Sequence, residues 1–251
     1  MEQGIQRVGV LGGGHMGAGI AQTAAVSGCE AVCVDIDAGA VDKARRTVTT
    51  GRYGIDRAVE LGKLTAEQAA AAIERMTFTT EREALADVDI LIEAVPEEIG
   101  LKVRTFGQLD RLVDEQAIFA SNSSGLSIAA MAGATDRPDR VIGWHWASPA
   151  PIRPLAEIVV TKQTSKVTTT ATCELARRFG KNPVVVRDTP AAWGYVTSRI
   201  YVAAMREAQR VVDERIATPE EVDQLMIDCY GWPTGPLGIT KAITSQWGEG
   251  G

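Results

Sequence analysis

Histidine and cysteine are both scarce in this chain of 251 residues. There are two histidines, His15 and His145, and four cysteines, none of them in a Cys-x-x-Cys pair. With so few suitable side chains a zinc site would lack ligands, so we expect no metal. Cysteines without a pairing pattern are typical of a reducing compartment, and we therefore expect a cytoplasmic protein.

An excess of basic charge and long apolar runs are also absent. The chain carries 26 Lys and Arg against 32 Asp and Glu, for a net charge of -6. Nucleic acid is excluded as the main partner, since phosphate backbones require clustered basic side chains. No apolar run reaches the roughly 18 residues of a membrane span, and the polar N-terminus is not typical of a signal peptide. We expect a globular protein that acts on a small molecule, without a nucleic acid or membrane partner.

The first half of the chain contains a glycine-rich loop between a predicted strand and a predicted helix. The apolar run at residues 8–11 predicts a buried parallel strand, and an alanine-rich helical stretch begins near Ile20. Between them lie Gly12, Gly14 and Gly17 in Gly-x-Gly-x-x-Gly spacing. The first allows a tight turn, the second close approach of a pyrophosphate, and the third close packing of helix on strand. The helix N-terminus is then predicted to bind the diphosphate of a dinucleotide.

An acidic residue follows the second predicted strand. The run at residues 31–34, with Cys33 as a small buried side chain, ends at Asp35. Asp35 can accept hydrogen bonds from a ribose diol and repels a 2′-phosphate, which favours NAD over NADP. The alternative is a glycine turn in another α/β sheet, but strand, helix and acid together favour a dinucleotide. His15, for which we expect a backbone role only, and Met16 are included among the cofactor contacts.

Polar residues recur at the ends of three further predicted strands. The strands at residues 90–92, 117–120 and 141–144 are followed by acidic residues, by the segment SNSSG and by His145. In a doubly wound sheet the carboxyl ends of the strands form the ligand-binding edge. The pattern predicts an α/β Rossmann fold, a doubly wound and mostly parallel sheet.

The remaining segments are predicted to be helical. Residues 38–75 are longer than an ordinary crossover and predict a helical hairpin that projects from the sheet. Residues 195–217 and 219–230 predict two further helices, the second with Pro219 in its first turn. We therefore expect a Rossmann domain at residues 1–188 and a smaller all-α domain at 189–251.

With these residues placed, the chain resembles the L-3-hydroxyacyl-CoA dehydrogenase family over about residues 5–240. The motifs that carry the resemblance are VGVLGGGHMGAGIA, LIEAVPEE with Lys102, ASNSSGLSI, GWHWASPAPIRPLAEIV and KNPVVVRDTP. The resemblance implies NAD-dependent oxidation of a secondary 3-hydroxy group to a ketone.

The resemblance also implies roles for three catalytic residues. His145 would be the general base, Glu157 would orient and stabilise its imidazole, and Ser124 would hydrogen-bond the reacting oxygen. An imidazole suits proton transfer near neutral pH, and a carboxylate behind it fixes its tautomer. Simpler interpretations are a packed core histidine between two tryptophans, a surface ion pair for Glu157, and a helix cap near Leu126 for Ser124.

Further cofactor contacts follow from the same resemblance. Glu97, Lys102 and Asn122 match positions on the nicotinamide ribose side of the cofactor, and Ala94 is a further predicted contact. Asn122 could instead be a plain turn former.

Several positions depart from the family pattern. Ser148 stands three residues after His145, where the family has Asn, and the segment DTPAAWGYVTSR carries three extra residues. Pro154 stands where acyl-CoA members have a basic residue, which favours members that oxidise small hydroxy acids or pyridine-ring alcohols. Ser148 and Arg153 join Ser124 as predicted substrate contacts, with Arg153 either binding a carboxylate or lying solvated at the surface.

Three functions stay open on the sequence alone. A 3-hydroxyacyl-CoA dehydrogenase is favoured. A dehydrogenase of a free hydroxy acid, such as carnitine or gulonate, or of a pyridine alcohol is the second, and a non-catalytic NAD-binding protein is the third. The family's final helices have no counterpart in the sequence, so we expect a shortened helical domain, with a homodimer as an open expectation.

Overall fold

A computed structural model describes residues 4–189 and 191–238 of the chain. These residues contain eight strands: β1 Arg7–Leu11, β2 Glu30–Val34, β3 Met76–Thr79, β4 Ile90–Glu93, β5 Ile118–Ser121, β6 Val141–His145, β7 Leu155–Val160 and β8 Asn182–Arg187. They also contain nine α-helices: α1 His15–Val26, α2 Ala38–Thr50, α3 Ile55–Glu60, α4 Ala66–Glu74, α5 Ile99–Leu109, α6 Ile128–Ala132, α7 Lys166–Arg178, α8 Val196–Asp213 and α9 Pro219–Tyr230.

All eight strands belong to one sheet in the order β3-β2-β1-β4-β5-β6-β7-β8. The first six in this order run parallel, β7 pairs with β6 antiparallel, and β8 pairs with β7 parallel. The crossover from β3 to β4 passes over the middle of the sheet, so the strand order reverses beside β1, as in other doubly wound folds. The predicted fold class is confirmed, and each of the five predicted strands is present.

Three strands were missed by the sequence pattern. β3 has four residues, none of them fully buried, and β8 lies at the edge of the sheet with Val184 and Val185 exposed. β3 lacks a continuous apolar run, whereas β8 contains a short one at residues 184–186 that the sequence analysis did not assign to a strand. β7 is buried, but its pairing with β6 depends on a chain reversal that no local pattern reveals.

The prediction of a projecting hairpin at residues 38–75 is wrong, although the helical pattern itself is confirmed. The segment forms three helices, and α4 contacts α1. Ala69 and Ala72 of α4 and Val48 of α2 belong to the core of buried apolar side chains beside the sheet. The segment therefore packs against α1, which covers the sheet, and does not project from it.

The chain divides into two compact units between Trp193 and Gly194. The second unit contains α8 and α9, both predicted. Thr218 and Glu221 form a reciprocal capping box at the start of α9, and Pro219 is its first residue. Among the described residues, no helix is both long and apolar enough to cross a membrane.

Candidate active site

The glycine loop after β1 is shaped by two of its three predicted glycines. Gly12 has a φ of +104°, and a Cβ there would lie 2.6 Å from the carbonyl oxygen of Ala94. A Cβ on Gly17 would collide with the carbonyl oxygen of Gly12. At Gly14, by contrast, no protein atom lies within 4 Å of a Cβ. The protein's own packing does not require the second glycine, whose open side suits the approach of a diphosphate.

The start of α1 suits the same ligand. Its N-cap is Gly14, which offers no side chain to the first amide groups of the helix. Those N–H groups and the positive end of the helix dipole therefore face the loop and can bind an anion. Met16, a predicted cofactor contact, is partly buried and packs against the core.

Asp35 lies directly beside this loop. Its Oδ2 accepts a hydrogen bond from the Gly13 amide at 2.6 Å, and its Oδ1 accepts one from the Ile36 amide at 2.7 Å. The carboxylate is thereby held at the end of β2 with capacity to accept further hydrogen bonds from a diol. The loop, the helix start and this carboxylate together fit an NAD molecule.

Cys33 is buried in β2 close to Asp35. Burial, with a smaller contribution from the Asp35 charge, raises the pKa of the Cys33 thiol to about 12. The thiol is therefore protonated at neutral pH and does not act as a nucleophile. This agrees with its prediction as a small buried side chain.

His145 and Glu157 lie directly opposite each other on β6 and β7. His145 Nδ1 and Glu157 Oε2 are 2.9 Å apart, and the two residues are 9% and 2% exposed. The antiparallel reversal between the strands explains the spacing of twelve residues in sequence. A carboxylate at Nδ1 can fix the tautomer of an imidazole, which is the arrangement that proton transfer through Nε2 would need.

The tryptophans beside His145 belong to the other face of the sheet. Trp144 and Trp146 stack on each other with ring centroids 4.9 Å apart, and Trp144 also stacks on Phe179. Side chains alternate between the faces of a strand, so His145 points away from this stack. His145 is therefore not packed between the two tryptophan rings, although it is itself buried.

Lys102 is deeply buried and contacts protein groups on several sides. It is 1% exposed, and its Nζ donates to Glu93 Oε1 at 2.6 Å and to the Val95 carbonyl at 3.0 Å. Glu97 Oε2 lies 3.4 Å from the same nitrogen. The ammonium therefore makes two hydrogen bonds, to Glu93 and Val95, and a longer ion pair with Glu97. The arrangement favours a role for Lys102 in holding Glu97, in place of the direct cofactor contact that the sequence predicted.

Glu97 in turn orders the serine segment after β5. Its Oε1 accepts from Ser123 Oγ at 2.6 Å and from the Ser124 amide at 2.9 Å. Glu93 Oε2 accepts from Ser121 Oγ at 2.6 Å in the same network. Because both carboxylates are fixed by Lys102, the backbone at Ser124 is fixed as well.

The helix after this segment is capped by other serines. α6 begins at Ile128, and the side chain of Ser127 accepts from the Ala130 amide. The Leu126 amide donates to Ser123 Oγ at 2.8 Å. The alternative function of Ser124 as the helix cap is therefore wrong.

Asn122 joins the ends of two strands. Its side-chain Oδ1 accepts a hydrogen bond from the Trp146 backbone amide at 3.0 Å. Its backbone amide donates one to the Glu93 carbonyl at 2.8 Å. The carboxyl ends of β4, β5 and β6 are thus connected at one edge, the edge that also carries the glycine loop. The predicted site residues of the first unit lie along this edge.

The predicted substrate residues after His145 are exposed. His15 Nε2 and Ser148 Oγ are 2.9 Å apart, so the glycine loop and the segment after β6 meet through side chains. The expectation of a backbone role only for His15 is therefore too narrow. The Arg153 side chain is exposed and makes no ion pair with any residue in the described ranges.

The sequence placed Glu93 and Ser121 at strand ends without giving them a role in the site, and it did not identify Lys181. Lys181 is 4% exposed, and its Nζ donates to the carbonyls of Ala150 and Arg153 at 2.6 and 2.9 Å. Desolvation by burial lowers the pKa of Lys181. A glutamate at the end of an apolar strand was the available signal for Glu93, but nothing local marks Lys181. No cluster of metal-binding side chains occurs among the residues described.

Two family descriptions match the sequence. The 3-hydroxyacyl-CoA dehydrogenase NAD binding domain matches residues 7–189, and the C-terminal domain of the same name matches residues 194–250.

Individual relatives agree with these matches. The chain is 36% identical over 249 residues to a 3-hydroxybutyryl-CoA dehydrogenase of Mycobacterium tuberculosis, covering 97% of this chain and 84% of the relative. It is 36% identical to the Escherichia coli 3-hydroxyadipyl-CoA dehydrogenase over 95% of its length, but spans only about half, 49%, of that protein.

A solved structure shows the same fold. The (S)-3-hydroxybutyryl-CoA dehydrogenase of Ralstonia eutropha is 40% identical, with a TM-score of 0.89 over 95% of this chain and 82% of that one.

Proposed function

The chain belongs to the 3-hydroxyacyl-CoA dehydrogenase family, and from that premise we propose that it oxidises a 3-hydroxyacyl thioester to the 3-ketoacyl thioester with NAD. The observation that carries the proposal is the 2.9 Å contact between His145 Nδ1 and Glu157 Oε2 at the edge that bears the glycine loop. In this proposal residues 1–188 bind NAD and residues 189–251 form the helical domain.

His145 acts as the general base. Its Nε2 takes the proton of the substrate hydroxyl while the carbinol C–H bond breaks. Glu157, at Nδ1, holds the ring in the required tautomer and stabilises the imidazolium that forms. Both residues are more than nine-tenths buried, which excludes competing water from the charge that develops.

Ser124 and Asn122 orient the reacting groups. The Ser124 hydroxyl donates a hydrogen bond to the substrate oxygen, which stabilises the charge left when the proton departs. Its backbone is positioned for this by Glu97 and, through Glu97, by Lys102. Asn122 aligns the end of β5 with the end of β6 and would contact the nicotinamide ribose side of NAD.

NAD is held by the residues that fit it. When bound, NAD accepts the hydride from the carbinol carbon. The amides of the glycine loop and α1 would bind its diphosphate, and Asp35 its adenine ribose diol.

A free hydroxy acid is the second candidate substrate. The observation that favours it is the exposed Arg153 guanidinium, which has no ion pair in the described residues and could bind a carboxylate. The thioester ranks first because the relatives named above act on CoA substrates by name.

The substrate is tested by following NADH absorbance with purified protein and NAD. L-3-hydroxybutyryl-CoA is compared with carnitine, gulonate and free 3-hydroxybutyrate. We expect NADH from the thioester. NADH from a free acid alone would reject the thioester, and NAD binding without turnover on any substrate would favour the non-catalytic alternative.

A homodimer in the cytoplasm completes the proposal. Val196 and Ile200 on α8 and Leu225 and Tyr230 on α9 are exposed apolar side chains, which supports association through the helical unit. Light scattering after size exclusion would give twice the monomer mass. A mass equal to one chain at all protein concentrations would reject the dimer.

A further inference from the structure

The segment that joins the two proposed catalytic residues is tightly fixed on one side. It leaves β6 at His145 and enters β7 before Glu157. Lys181 Nζ donates to two of its carbonyls, those of Ala150 and Arg153, and lies over the Trp146 ring at 5.2 Å. We call residues 148–153 the connecting segment.

The other side of the connecting segment contacts the first two turns of α1. A Cβ on Gly19 would lie 3.1 Å from Ala150 Cβ and 3.0 Å from Pro151 Cδ, so the helix approaches the segment closely. One turn earlier, His15 Nε2 and Ser148 Oγ are 2.9 Å apart. These contacts join the cofactor loop to the segment after the catalytic histidine.

The His15–Ser148 contact has two possible directions, because the tautomer of His15 decides which of the two groups donates. A serine hydroxyl donates once and can accept twice. When His15 Nε2 carries a proton, Ser148 Oγ accepts it and its own O–H is available as a donor. A thioester carbonyl oxygen is an acceptor of the matching kind. Without His15, the exposed hydroxyl would rotate freely and lose this direction.

We propose that His15 is a positioning residue for substrate binding: it orients the Ser148 hydroxyl toward the acyl carbonyl of the bound thioester. The inference rests on the proposed function. It assigns the second histidine of the chain a side-chain role that is separate from proton transfer. It also explains how the short side chain of Ser148 can bind substrate at an exposed position. The longer imidazole of His15 reaches it from the start of α1.

The test is a double-mutant cycle with His15→Leu, Ser148→Ala and both together. KM for L-3-hydroxybutyryl-CoA, kcat and the Kd for NAD are measured for each protein. Each single variant should raise KM by about 3- to 10-fold, the range of one neutral hydrogen bond. Both should leave kcat and the NAD Kd within about twofold, since neither the base nor the backbone amides of the loop change. The double variant should match either single variant, because the two residues act as one unit.

A conservative variant separates positioning from simple packing. His15→Gln retains a side-chain donor of similar reach and should restore most of the wild-type KM, whereas His15→Leu retains bulk without the donor. Glu115→Ala, at an exposed position before β5, serves as the matched surface control.

Five results would overturn the proposal. Multiplicative effects in the double variant would mean that the residues act independently. An unchanged KM in His15→Leu, or failure of His15→Gln to restore KM, would remove the positioning role. A raised NAD Kd with unchanged KM would assign His15 to the cofactor instead. If the wild type binds NAD but oxidises no thioester, the proposed function itself fails and this inference fails with it.

Discussion

The two histidines of this chain occupy opposite kinds of environment. His145 is buried, and its partner Glu157 is fixed by strand register. His15 is exposed at the start of α1, and its partner Ser148 lies 133 residues away on a connecting segment. His145 has a carboxylate as its partner and is shielded from solvent, which suits proton transfer. His15 has a neutral hydroxyl as its partner and is exposed to solvent, which suits orientation of a ligand. The difference teaches that environment, not residue type, assigns the role.

The strongest way to break this comparison is to remove the buried imidazole of His145, which we propose as the base. His145→Gln should lower kcat by about 10²- to 10⁴-fold, the usual contribution of a general base. The NAD Kd should stay near that of the wild type, since the glycine loop is untouched. Steady-state rates of NADH formation and a fluorescence titration with NAD measure the two quantities. A variant that retained more than a tenth of the wild-type kcat would show that another group accepts the proton.

The charge on the partner of His145 is the next test. Glu157→Gln keeps the size of the side chain but removes the carboxylate that stabilises the imidazolium, and should lower kcat by about 10²-fold. Glu157→Asp keeps the charge at a longer distance and should fall between Gln and wild type. The kcat values of the three proteins form the series. Equal kcat in the Gln variant and the wild type would reduce Glu157 to a structural residue.

The glycine loop that precedes α1 can be tested separately from the His145–Glu157 and His15–Ser148 pairs. Asp35→Ser should raise the Kd for NAD by about tenfold or more, because hydrogen bonds to a charged group contribute about 1.5–3 kcal/mol. The Kd for NADP should fall relative to that for NAD, since the repulsion of a 2′-phosphate is removed. Titration with both cofactors gives the ratio. A preference that does not move would mean that Asp35 does not contact the ribose.

The smallest expected effect concerns Lys181, which lies under the connecting segment. Burial lowers the pKa of Lys181 in the native state below the ordinary value of 10.5, which applies to the unfolded chain. Between the native and the unfolded pKa, the unfolded chain therefore binds more protons than the native one. The free energy of unfolding of the wild type should therefore gain a contribution that rises with pH up to about 10.5, and Lys181→Met should lack it. Urea unfolding of both proteins across this range measures the difference.

An exposed lysine provides the control for that measurement. Lys63→Met should leave the pH slope of stability as in the wild type, because Lys63 is solvated in the native state. If Lys181→Met and Lys63→Met show the same slope, Lys181 is not perturbed by burial.

Much of the cofactor end could be predicted from the sequence. The glycine spacing and the acid after β2 are local patterns. The glycines reflect the geometry of the turn, and the acid follows directly after an apolar strand. The five central strands were predicted for the same reason, since fully buried parallel strands appear as continuous apolar runs.

The pairings across the site could not be predicted in the same way. Glu157 was identified through resemblance, and its register opposite His145 became visible only with β7, which no local pattern marked. The burial of Lys102 against Glu93 and the contact of His15 with Ser148 depend on how distant loops meet. Lys102 was predicted as a cofactor contact through the resemblance, and only the three-dimensional network reveals its contacts with Glu93 and Glu97.

The most direct test of the account is a single-turnover measurement of NADH formation against thioester concentration for His145→Gln and His15→Leu beside the wild type. Such data separate the rate constant of the chemical step from the substrate Kd. The account predicts that His145→Gln loses rate with a nearly unchanged Kd, whereas His15→Leu raises the Kd with a nearly unchanged rate constant. If both variants change the same parameter, the division of roles between the two histidines is contradicted.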